Sequence, residues 1–153
     1  LRRFGRPGRD QGAPRPVVNE IGRVAVSIAG QNDILKARTA GRDRARALGF
    51  STVDQTRLAT AISELARNAL AYGGGGVCAI SSSANPDGSQ TIRVVVEDHG
   101  PGIGDLALAF KPGFSTGGGL GLGLPGVRRL MDDLVIESAP GRTIVETTMS
   151  RGP

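Results

Sequence analysis

Hydrophobic positions along the chain change period several times, and each change marks an element. Val24, Val26 and Ile28 in RVAVSIA fall on every second residue, which predicts a half-buried strand over residues 23–29. From 33 to 48 the spacing turns helical, and Gly49 supplies a stop. Ser51-Thr52-Val53-Asp54 has the form of a capping box, with Asp54 placed to answer the free N–H groups of a helix start. Leu58, Ala61, Ile62, Leu65 and Ala69 then recur on one helical face, predicting a helix to about Leu70 before YGGGG ends it. Residues 77–82 and 91–98 read as strands joined by the turn-rich ANPDGS, a hairpin. A glycine- and proline-rich loop over 100–123 holds one short helical stretch at 105–110. Pro125, Val127, Leu130 and Leu134 predict a further helix, and strands around 134–138 and 143–149 close the chain. Strands, hairpins and helices in this mixture indicate an α+β fold, a two-layer sandwich without internal repeats.

With 153 residues the chain is long enough for one domain, and too short for a eukaryotic-type protein kinase or a two-domain dehydrogenase. No apolar run approaches membrane-span length, and the arginine-, glycine- and proline-rich start does not read as a secretory leader. The single cysteine, Cys78, sits in a strand pattern and reads as a core residue; it excludes an internal disulfide and fits a reducing, cytoplasmic setting. The net charge of +5 is local: Arg2, Arg3, Arg6, Arg9 and Arg15 face only Asp10 in the first sixteen residues, leaving the remainder near neutral. Aromatic residues make up 3% of the chain, too few for the stacking surface of a single-strand binder, so no nucleic-acid role is expected. Residues 1–19 are expected to form a disordered basic arm, and 20–150 the folded domain.

Gly121 to Gly126 satisfies the letter of the G-x-G-x-x-G dinucleotide motif, but the residues before it, KPGFSTGGGL, form no strand to deliver the chain into the turn. Glu137 follows too soon for a full crossover helix, and no G-K-[ST] exists for a P-loop. Two other polar groupings give the glycines a different context. Glu64 and Asn68 in ELARNA stand one helical turn apart, a carboxylate and an amide oxygen turned the same way, suited to a base beside a Mg²⁺ ligand. In EDHGPGIGD an apolar strand ends at Asp98 and runs into Gly100 and Gly102, so a carboxylate could accept from an adenine amine while the base lies on bare backbone. Residues 117–126 then offer N–H groups and a helix start to phosphates. His99, the one histidine, reads as solvent-facing rather than as a phosphoacceptor, and Arg57, Arg67, Arg128 and Arg129 read as solvated.

In this order the three groupings resemble the N, G1 and G2 boxes of the GHKL ATPases, the superfamily of gyrase, Hsp90, histidine kinases and MutL. Within it, GFSTVDQTRLATAISELARNAL, EDHGPGI, GFSTGGGLGLGLPGVRRLMDDLVIES and the late GRT are similar to the RsbT-type switch serine/threonine kinases of bacterial stressosomes, over residues 20–149. The resemblance implies a Bergerat fold, with a mixed, mostly antiparallel sheet, helices on one face and a glycine-rich ATP lid. It implies ATP and Mg²⁺ as cofactors, STAS-domain proteins as substrates and a PP2C-type regulatory phosphatase as a second partner. Residue by residue, Glu64 would be the catalytic carboxylate and Asn68 the Mg²⁺ ligand. Asp98 would read adenine, Gly100 and Gly102 would face the nucleotide, and Thr143 would support the adenine side. Gly119, Gly121, Gly123 and Leu124 would line the phosphates within the lid. An anti-sigma factor kinase of the RsbW and SpoIIAB type, a non-catalytic ATP-binding module and a partner-free ATP hydrolase are the competing functions.

Overall fold

The computed structural model describes residues 2–3, 19–102 and 123–153. Its elements run β1 (Arg2–Arg3), β2 (Asn19–Ile28), α1 (Gln31–Ala47), α2 (Thr52–Gly73), β3 (Gly76–Ala84), β4 (Gln90–Asp98), α3 (Gly123–Leu130), β5 (Asp133–Ala139) and β6 (Arg142–Arg151). The strands form one sheet in the order β1-β5-β6-β4-β3-β2. The short helix expected at 105–110 and most of the glycine lid lie outside the described residues.

Local chemistry accounts for where the helices begin and end. Asp33 was expected to open α1, yet the helix starts two residues earlier. The Asp33 carboxylate reaches back to accept from Ala29 N at 2.9 Å and Gly30 N at 3.1 Å, so Asp33 sits inside the first turn rather than at its edge. Those backbone donors, Ala29 first, hold its pKa below the ordinary 3.8. Ser51 caps α2 as its sequence form implies, its hydroxyl accepting from Asp54 N at 3.1 Å. That helix runs past the expected Leu70 to Gly73, because the residue that stops it is Gly74, in the left-handed conformation at φ 69°.

Helices α1 and α2 form an antiparallel hairpin, which returns the chain to the end of β2 that it left. Gly76 therefore pairs with Ile28, and β3 must run back antiparallel to β2. The β3–β4 and β5–β6 pairs are hairpins, and β6 lies antiparallel between β4 and β5. All described pairings are thus antiparallel, in keeping with the expected mostly antiparallel sheet; no parallel pair occurs among the described residues. Arg2–Arg3, within the arm expected to be disordered, pair with Ile136 and Val135 on the open edge of β5, whose free backbone groups residues of most types can meet.

Alternate residues of the strands line one face in register. Cys78, Val96, Val145 and Ile136 form one row across the sheet, and Ile80, Val94, Thr147 and Leu134 the next. These rows pack against Leu58, Ala61, Ile62, Leu65 and Ala69 of α2, with Ile34 and Ala37 of α1 and Val127 of α3 in the same core. Each large aliphatic side chain buried this way contributes roughly 1.5–3 kcal/mol, which is what holds α2 flat on the sheet. Leu134, which fits both the helical period after Leu130 and the start of a strand, lies in β5 and is buried. Val24, expected inward with Val26 and Ile28, remains 41% exposed, since β2 is an edge strand whose register shifts between Ile21 and Val24. Cys78 is buried, and burial pushes its thiol up to about 12, leaving it protonated and unreactive. Among the described residues no helix is long and apolar enough to cross a membrane.

Candidate nucleotide site

The last residue of β4 is the hub of the site. Asp98 pairs with Gly76 on one side and Thr143 on the other, so its position is set by the middle of the sheet rather than by a loop. Its Oδ1 accepts from Gly100 N at 3.0 Å, which orients the carboxylate and leaves the second oxygen for another donor. Gly100 in turn accepts from Gly141 N at 2.9 Å, tying the loop after β4 to the β5–β6 turn. Thr143 is buried, and its hydroxyl lies 2.7 Å from that of Ser138, its cross-strand neighbour on β5.

Backbone closes in around this carboxylate. A Cβ on Gly73, the last residue of α2, would stand 2.6 Å from Asp98 Oδ1, and one on Gly100 would stand 2.8 Å from the Tyr72 carbonyl oxygen. Gly102 combines φ +85° with a Cβ position 2.6 Å from the Ala139 carbonyl oxygen, so both its conformation and its surroundings demand glycine. Asp98, Gly100, Gly102 and Thr143, separate in sequence, are brought together by these contacts.

Glu64 and Asn68 stand further along the same helix whose end touches Asp98. At 1.5 Å per residue, Asn68 lies about 7 Å and Glu64 about 13 Å back from Gly73 along the axis. Glu64 is buried at 5% exposure, and Arg67, one turn on, donates from Nη1 to its Oε1. Asn68 is half-buried. Helix α3 packs on α2, bringing the half-buried Gly123 and the buried Leu124 of the lid's exit to the helix that carries the two polar residues. Gly119 and Gly121 lie outside the described residues. Among the described residues no group of three or more His, Cys, Asp or Glu could hold a metal by itself.

Three participants escaped the sequence reading. Arg67 was read as solvated but is paired with Glu64, at 33% side-chain exposure; the i,i+3 spacing on an established helix was the available signal. Gly73 reads in the sequence as part of a glycine-rich helix terminator, although in the fold its backbone packs against the Asp98 side chain with no room for a Cβ. Ser138 carries no local signal, because its role depends on the β5–β6 register. His99 is exposed, as expected, with Glu97 3.9 Å away.

Comparison with known proteins agrees with this geometry. The family model for histidine kinase-, DNA gyrase B-, and HSP90-like ATPases matches residues 53–151. Over 116 residues, 76% of this chain and 86% of the other, the sequence is 50% identical to the serine/threonine-protein kinase RsbT of Bacillus subtilis. Among solved structures, the RsbU and RsbW domains of Rv1364c from Mycobacterium tuberculosis match with a TM-score of 0.59 and 22% identity, over 91% of this chain and 34% of that one. The SiaB–SiaC complex from Pseudomonas aeruginosa matches with a TM-score of 0.50 and 16% identity, over 86% of this chain and 91% of that one. Both structural likenesses concern the fold. The chain belongs to the histidine kinase-, DNA gyrase B- and HSP90-like ATPase family and, within it, to the serine/threonine kinases of the RsbT type.

Proposed function

We propose that the protein transfers the γ-phosphoryl group of ATP, with Mg²⁺, to a serine or threonine of STAS-domain partners in a cytoplasmic partner-switching stress pathway, and that it also engages a PP2C-type regulatory phosphatase. The observation that carries the reading is the Asp98 cradle lying at the foot of the helix that bears Asn68 and Glu64. A nucleotide laid base-first against Asp98 has its phosphates directed along α2 toward those two side chains.

The described residues fit the cofactors. Gly73 and Gly100 let the end of α2 and the loop after β4 close on Asp98, and Gly102 lets that loop close on Ala139, so the carboxylate offered to a base is rigidly placed. The Asp98 oxygen not held by Gly100 would accept from the exocyclic amine of adenine, while the Ser138–Thr143 hydroxyl pair offers further polar contact on the same side. A magnesium ion held at Asn68 would supply positive charge to offset that of the phosphates. Asn68 would give it a single amide oxygen, which suits an ion that keeps several waters and relies on phosphates for the rest. Glu64 would accept a hydrogen bond from the incoming hydroxyl and take its proton as the new oxygen–phosphorus bond forms and the bond from the γ-phosphorus to the bridging oxygen breaks, with ADP leaving. Such transfer asks mainly for positioning and charge balance, so one carboxylate on a rigid helix suffices. Gly119, Gly121, Gly123 and Leu124 would line the phosphates.

The test is transfer of labelled phosphate from ATP, with Mg²⁺, to a STAS-domain partner. Label on a partner serine or threonine supports the reading. A sigma subunit recovered as the stable partner, without a phosphatase, would support the anti-sigma alternative, and nucleotide binding without transfer the non-catalytic module.

A further inference from the structure

Four intrahelical ion pairs at i,i+3 spacing occur among the described residues, and one differs from the rest. In Asp33–Lys36, Asp43–Arg46 and Asp54–Arg57 the carboxylate side chain is 22%, 55% and 29% exposed, as expected of solvated helix faces. In the fourth pair the Glu64 side chain is 6% exposed and the Arg67 side chain 33%. The acid is withdrawn into the protein while the base reaches it from the rim. A carboxylate in that position is disfavoured as an anion unless a cation or donors accompany it, and among the described residues Arg67 is the cation that does so.

We infer that Arg67 is a positioning residue for phosphoryl transfer: by holding Oε1 of Glu64 it fixes the carboxylate and presents Oε2 to the incoming hydroxyl. The inference rests on the reading of Glu64 given under Proposed function. Three features support it. The contact is made to one oxygen only, so the acceptor needed for a hydroxyl is left over. The guanidinium is a planar, rigid fork of donors, so the contact fixes the carboxylate's orientation as well as its place. The residue that follows, Asn68, is the proposed metal ligand, so a single turn of helix delivers an orienting cation, a carboxylate and a metal ligand with no flexible joint between them. The loose transition state of phosphoryl transfer needs an aligned hydroxyl more than a strongly deprotonated one, which is what a held carboxylate supplies.

The experiment compares Arg67→Met, Arg67→Lys, Glu64→Gln and the double change Glu64→Gln/Arg67→Met in the full chain. It reads kcat and KM for transfer to the STAS partner, ATP affinity by calorimetry, and melting temperature. Arg67→Met is expected to lower kcat by about tenfold or more with ATP affinity within about twofold of the parent, and Arg67→Lys to recover most of the loss. In the Glu64→Gln background the Arg67 change is expected to have no further effect, since it then has no carboxylate to place. Arg67→Gln, neutral and of similar reach, replaces the Met variant should that one fail to fold. An unchanged kcat, or a loss of ATP affinity matching the loss of rate, would overturn the inference, the latter assigning Arg67 to the phosphates instead. Full transfer by Glu64→Gln would instead remove the underlying reading of Glu64, a separate and recognisable outcome.

Discussion

The two ends of the site are built in opposite ways. Around Asp98 the parts come from four elements: the end of α2, the end of β4 and both strands of the β5–β6 hairpin. Around Glu64 they come from one turn of one helix. The first end exists only when the sheet is in register and the helix lies on it, whereas the second is present in any folded α2. On the proposed reading, recognition of the base is therefore tied to global folding, while the groups proposed for catalysis are local. Changes at the two ends should consequently separate, one affecting affinity and stability together, the other affecting rate alone.

The largest expected effect is at the local end. Glu64→Ala should reduce phosphate transfer by roughly a hundredfold to ten-thousandfold, the span of general acid–base contributions, while calorimetry finds ATP affinity nearly intact. Equal losses of rate and affinity would erase the contrast between the two ends.

At the other end, Asp98→Asn should weaken ATP binding by about ten- to a hundredfold, the worth of a charge-assisted hydrogen bond of roughly 1.5–3 kcal/mol. Transfer at saturating ATP should fall much less, which a titration of rate against ATP concentration checks.

Gly73→Ala sharpens the comparison, because it acts on the site through Asp98. Its methyl group would stand against the Asp98 carboxylate and force either the helix end or the acid to move. Weaker ATP binding, together with a stability loss of about 1–3 kcal/mol in chemical denaturation, is expected. Unchanged affinity would mean that Asp98 is not held by this contact.

The smallest effect lies outside the site. Asp33 has its pKa depressed in the folded protein by the N–H donors of Ala29 and Gly30. Its contribution is therefore fully present above the ordinary 3.8 and is lost as pH falls through the lower folded value. Asp33→Asn should lower the melting temperature slightly at neutral pH, and the gap from the parent should narrow as pH falls below about 4. A gap that widens on acidification would contradict the assignment.

The same contrast explains what was legible in the sequence. The placement of Glu64 and Asn68 on one helix and the Ser51 cap were readable because they depend on spacings within a single helix, and helical period is a property of the chain itself. Arg67 could have been read in the same way. Asp98 was readable for a different reason: an apolar strand that ends on a carboxylate followed by two glycines is conspicuous. Ser138 and the insertion of β6 between β4 and β5 were not, since alternation tells which face a residue takes but not which strand lies beside it. Val24 shows the same limit, because its alternation was sound but it sits on an edge strand with a register shift, and the core does not reach it.

The central claim is that Asp98, the three glycines around it, and the helix bearing Asn68 and Glu64 make one site for an adenine nucleotide. Calorimetric titration of the folded protein with ATP at saturating Mg²⁺, repeated with Asp98→Asn, tests it most directly. The expected result is one binding event per chain in the parent protein, weakened about ten- to a hundredfold in the variant. No binding heat at any temperature tried, or equal affinity in both proteins, would contradict it.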